Sequence, residues 1–79
     1  MKNKITEILG WYGVVAILLA YGFSNMDILS VHSPIYQILN LTGALGIVVD
    51  ALDDKDYQPA VLNVIWAGIA IIALFRVFF

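Results

Sequence analysis

Two amides and an indole are the residues of this chain best suited to hold a solute within an apolar stretch. Asn40 lies in SPIYQILNLTGALGIVVDAL, and Asn63 stands three positions before Trp66 in VLNVIWAGIAIIALF. A primary amide both donates and accepts hydrogen bonds. Two of them around one cavity could bind the hydroxyls of a small polar solute, with Trp66 or Tyr36 as an apolar wall. The same residues allow a second reading. Each amide could bond the other, or a nearby backbone group, and simply join helices, at about 0.6 kcal/mol on average in a membrane. At this level both readings stand.

The other polar residues narrow the chemistry. Gln37 is one turn after Pro34 and is expected near the membrane interface. Asp50 precedes Asp53, Asp54 and Asp56, which favours a solvated place; buried, it would be a candidate for proton or cation coupling. The run DALDDKD has neither the ligand spacing nor the sharp-turn Gly of a calcium loop. His32 is the single histidine and there is no cysteine, so no metal site and no thiol chemistry is expected. No nucleophile elbow, phosphate loop or protected carboxylate pair is present. The expectation is a protein that is not an enzyme and carries no cofactor.

The elements that must position these residues follow from composition. Of 79 residues, 62% are hydrophobic and 13% charged, against about 45–50% and about 25% in ordinary soluble domains. A soluble domain of this length could not hide that much apolar surface, so the natural solvent is a lipid bilayer. The net charge of −2 leaves no nucleic-acid footprint. Residues 8–26 carry no charge and are long enough for a hydrocarbon core of about 30 Å. They exceed the about 7–15 residues of a signal h-region and lack an A-x-A-like site, so a retained span is expected. Ser33-Pro34 opens a second helix, with Ser as N-cap and Pro where its missing N–H is harmless. DDKDY is a polar turn, and Gln58-Pro59 opens a third helix that runs to the C-terminus. The expected architecture is an all-α membrane protein, one domain over residues 1–79. Three transmembrane helices, at about 6–26, 34–52 and 58–78, form a compact bundle.

Lys2, Lys4 and Lys55 fall on one side of such a bundle and Arg76 on the other. The positive-inside rule then places the N-terminus in the cytoplasm, in a bacterial inner membrane. Each helix has a stripe of small or polar residues at helical spacing. These are Gly10, Gly13, Ala16, Ala20 and Ser24 in the first, with Gly22 nearby. In the second they are Tyr36, Asn40, Gly43, Gly46 and Asp50, and in the third Ala60, Asn63, Ala67 and Ala70. Gly13, Gly43, Gly46 and Ala67 are the expected packing residues. Trp11, Tyr12, Tyr57, Phe75, Phe78 and Phe79 are expected as anchors at headgroup level.

Two resemblances add to this. GWYGVVAILLAYGF, then SPIYQILNLTGALGIVVDAL, then a polar turn and YQPAVLNVIWAGIAIIALFR resemble a family of small bacterial membrane proteins of the CBU type, over nearly the whole chain. That resemblance implies three transmembrane helices and no assigned activity. LTGALGIVVDALDDKDYQPAVLN, residues 41–63, is more distantly similar to the SemiSWEET half-transporters of the PQ-loop superfamily. This second likeness implies a triple-helix unit that dimerises around a central pocket and works by alternating access, with Asn63 as a pocket residue. YGFSN stands where a SemiSWEET has its Pro-Gln hinge, and Ile47 falls where its second-helix Trp would.

Taken together, the sequence leads to a homodimeric half-transporter for a small polar solute, with Asn40, Asn63, Trp66 and Tyr36 at a midplane pocket. The alternative is a non-transporting assembly or interaction protein whose polar and small residues only pack helices. The expected partners are the bilayer, a second copy of the chain and the solute.

Overall fold

A computed structural model describes residues 3–79. They form three α-helices: α1 (Lys4–Asn25), α2 (Pro34–Asp53) and α3 (Tyr57–Phe78). All three are long and apolar enough to cross a membrane. In hydrocarbon a helix is the local solution, because it satisfies each backbone N–H and C=O within the segment. The molecule measures 40 × 24 × 18 Å, so its long axis matches a bilayer with its interfacial layers, about 40–45 Å.

Local chemistry sets the helix ends. Asn3 caps α1, its side-chain oxygen accepting from the Ile5 N–H at 2.8 Å. Ser33 caps α2 by accepting from the Tyr36 N–H at 3.1 Å, with Pro34 opening the first turn. These satisfy N–H groups that a helix start leaves orphaned.

The two C-termini use one device. After α1, the Ile28 N–H returns to the Phe23 carbonyl at 2.9 Å and the Asp27 N–H to Ser24 at 3.2 Å. After α2, the Asp56 N–H returns to Ala51 at 2.8 Å and the Lys55 N–H to Leu52 at 3.1 Å. This is the Schellman arrangement, which needs a left-handed residue just past the helix. Here the residues are Asp27 (φ 62°) and Lys55 (φ 56°), not glycine. No glycine announces either stop, yet Asn25 and Asp53 fall within one residue of the ends expected at 26 and 52.

α2 is the centre of the packing. It lies against both α1 and α3, while no Cα of α1 comes within 8 Å of one of α3 among the described residues. α2 therefore needs two small faces and its neighbours need one each. Gly10, Gly13, Ala16 and Ala20 are buried on α1, and Ala60, Asn63, Ala67 and Ala70 on α3. On α2 the single stripe expected from the sequence divides. Gly43, Gly46 and Asp50 turn toward α1. Tyr36 and Asn40 turn toward the α3 residues Trp66, Ile69 and Ala70. At about 100° per residue Asn40 and Gly43 differ by about 60° around the helix, enough to serve two neighbours.

The α1–α2 approach is backbone to backbone. A Cβ on Gly13 would collide with the Gly43 carbonyl oxygen, and a Cβ on Gly46 with that of Leu9. Without a hydrophobic drive between helices in lipid, such close van der Waals contact is what holds them.

Candidate functional site

The polar residues of the spans distribute over both seams of α2. On the α3 side, the Trp66 indole N–H donates to the Asn40 Oδ1 at 2.9 Å. Asn40 is buried, and its Nδ2 donates to the Tyr36 carbonyl one turn earlier at 3.0 Å. The amide is thus fixed in orientation by its own helix and presented to α3. Beside it opens a recess of about 320 Å³ lined by Val31, Tyr36, Gln37, Asn40, Trp66, Ile69 and Ala70. Gln37 is also held, its Nε2 donating to the Val31 carbonyl at 2.8 Å. That leaves Gln37 Oε1, the Tyr36 hydroxyl and part of the Asn40 amide as polar groups at an otherwise apolar surface.

Of the four residues expected at a pocket, Tyr36, Asn40 and Trp66 meet here and Asn63 does not line the recess. Asn40 lies thirteen residues before the end of α2, and Asn63 six after the start of α3. At about 1.5 Å per residue the two amides sit about 10 Å apart along the bundle axis. Asn63 is buried, and its Nδ2 donates to the Pro59 carbonyl of its own helix at 2.9 Å. Gly13, Gly43 and Gly46 are buried in the α1–α2 seam, and Ala67 in the α2–α3 seam.

Asp50 is half-buried, not fully exposed to water. Its carboxylate lies against Gly10, where any Cβ would strike it. Gly10, Trp11, Val14, Ile47 and Asp50 line a recess of about 220 Å³ there. Gly10 is the notch that admits the carboxylate between the helices.

Three residues are more engaged than the sequence indicated. Tyr12, expected as a headgroup anchor, hydrogen-bonds Thr42 oxygen to oxygen at 2.7 Å across the α1–α2 seam. The signal was available: Tyr12 precedes Gly13, Thr42 precedes Gly43, and those glycines face each other. Asp53 is part of a clasp. One carboxylate oxygen accepts from the Asn3 N–H at 3.0 Å and from the Thr6 hydroxyl at 2.8 Å. It ties the start of α1, where a negative charge suits the helix dipole, to the end of α2.

These features define a three-span α-helical membrane protein with an open, largely apolar recess edged by a few polar groups. Its family model matches residues 6–79, and the chain belongs to that family, a small bacterial-type family of unknown function. No curated protein and no solved structure matches the chain.

Proposed function

We propose that the protein is one half of a homodimeric transporter for a small polar solute, bound at the α2–α3 recess. The observation that carries this reading is the recess itself. About 320 Å³ at membrane depth is bordered by Tyr36, Gln37, Asn40 and Trp66. A volume near the lower end of the about 300–1,000 Å³ typical of ligand pockets, with few convergent polar groups, suits a small hydroxylated molecule. Polar groups at such depth are costly unless used. The likeness of residues 41–63 to SemiSWEETs belongs to the same proposal. So do the second copy that would close the open side of the recess, and a cytoplasmic N-terminus in a bacterial inner membrane. No catalytic step is part of this reading. Asn63 enters as a more distant contributor, reached only if the solute moves along the seam.

The assembly reading has one observation against it. The glycine and alanine stripes are consumed within the chain, between α1 and α2 and between α2 and α3. Of the glycines, only Gly22 and Gly68 face open space.

The test is uptake into proteoliposomes from a panel of radiolabelled sugars, polyols and amino acids. Uptake of one class, reduced at least about tenfold by Asn40→Ala or Trp66→Ala, is the expected result. No uptake from the panel, or equal uptake by both variants, overturns the proposal. Asn63→Ala in the same assay decides whether that amide belongs to the path.

A further inference from the structure

We infer that the surface end of the α2–α3 groove is a binding site for an anionic phospholipid, with Arg76 holding the headgroup phosphate. This goes beyond the solute reading and concerns a different recess. Val31, His32, Gln37, Ala73, Arg76 and Val77 border a space of about 590 Å³. Val31 and Gln37 also border the deeper recess at Asn40 and Trp66. The two recesses thus adjoin at Val31 and Gln37, the one at Arg76 nearer the helix end and the one at Asn40 deeper in the span.

The chemistry is ordered by depth as a phospholipid is. Arg76 stands in the last turn of α3, two residues before its end at Phe78, where a long cationic side chain meets the headgroup layer. Among the described residues its guanidinium has no ion pair and no hydrogen bond. A planar guanidinium matches a phosphate with two parallel donors. His32 and Gln37 add polar side chains at the same mouth. Deeper along α3, Ala73 and then Ile69 supply an apolar bed for an acyl chain, with Val77 beside Arg76 at the mouth. Asp27 lies in the connection just past α1 and does not line the recess. The mouth therefore presents positive charge to the lipid, and charge complementarity selects an anionic headgroup over a zwitterionic one.

Trp66 reports on the groove. With Trp11→Phe it becomes the sole tryptophan, since the chain has two. Vesicles would contain the protein and equal mole fractions of dibromophosphatidylglycerol or dibromophosphatidylcholine, whose bromines quench nearby indoles. The expected result is stronger quenching by the glycerol lipid, with a relative affinity of about fivefold, the factor that one basic group at an anionic bilayer supplies. Arg76→Gln should abolish the preference, and Lys4→Gln, at the far end of the bundle, should retain it. Equal quenching by the two lipids overturns the proposal. So does a preference that survives Arg76→Gln or disappears equally in Lys4→Gln, which would mean general surface charge. Inorganic phosphate in excess, against chloride at matched ionic strength, should leave the preference intact; its loss would identify a free-phosphate site and overturn the lipid assignment.

Discussion

The Trp66 indole N–H donates to the buried amide oxygen of Asn40 at 2.9 Å, a side-chain hydrogen bond that joins α2 and α3. It spans a seam whose buried α3 residues are Ala60, Asn63, Ala67 and Ala70. It also sets one wall of the recess. Structure and candidate site share the same pair, so a substitution can be read for either role.

The first prediction separates these roles. Trp66→Phe keeps an aromatic ring and removes the donor; Asn40→Ala removes the acceptor. In a double-mutant cycle the pair should show a coupling of about 0.6 kcal/mol, the average for interhelical bonds in membranes. Reversible unfolding in bicelles, followed by steric trapping, would measure it. A coupling indistinguishable from zero would mean that the bond does not stabilise the seam.

A second prediction contrasts the glycines. Gly13→Ala and Gly46→Ala would drive a methyl into the backbone carbonyls of Gly43 and Leu9. Backbone cannot step aside as a side chain can, so each should cost about 1–3 kcal/mol. Gly10→Ala meets the Asp50 carboxylate, which can swing away, and the loss should be smaller. Gly22 and Gly68 face open space, and Ala there should be neutral or stabilising by up to about 1 kcal/mol. The same unfolding assay ranks all five, and equal costs at Gly13 and Gly68 would contradict the packing described.

Much of this fold is legible in the sequence because the bilayer imposes it. Three uncharged runs admit only helices, and Ser33-Pro34 marks a start that the structure places at Pro34. The small-residue stripes on α1 and α3 could be read by period, since each helix has a single neighbour. α2 was harder. Its polar and small residues look like one stripe, yet they serve two faces about 60° apart at Asn40 and Gly43. Periodicity along one helix cannot say which partner takes which part. The candidate site was partly legible for the same reason. Asn40 and Trp66 are plain as polar groups in apolar runs, but their pairing, and the separate level of Asn63, depend on how far α2 and α3 slide past each other. The short turn between them fixes that register, and its geometry rests on a left-handed Lys55 that no glycine announces.

That turn gives the third prediction. A β-carbon at a left-handed position costs about 1–2 kcal/mol, and glycine escapes the cost while gaining freedom in the unfolded chain. Lys55→Gly and Asp27→Gly should each stabilise, by about 0.5–1 kcal/mol net. Lys55→Val should destabilise, because a β-branched residue fits that conformation worst. Thermal unfolding in detergent would show the order Gly above Lys above Val; Val equal to Gly would rule out the left-handed turn.

The last prediction concerns the clasp between the start of α1 and the end of α2. Asp53 receives the Asn3 N–H and the Thr6 hydroxyl on one carboxylate oxygen, and the Asn3 carbonyl, 2.9 Å from the same hydroxyl, is a competing acceptor for its single proton. These bonds lie at an exposed end, where a charged acceptor is worth less than in a dry interior. Their removal should therefore act locally. Asp53→Ala should leave the α1–α2 glycine seam in place and loosen the first turn of α1. Hydrogen exchange should quicken several-fold at the amides from Ile5 to Glu7, with little change at Gly13 or Ala16. Thr6→Val should give part of that effect, since the Asn3 N–H keeps its acceptor. Faster exchange throughout α1 in Asp53→Ala would instead make the carboxylate a determinant of the whole seam.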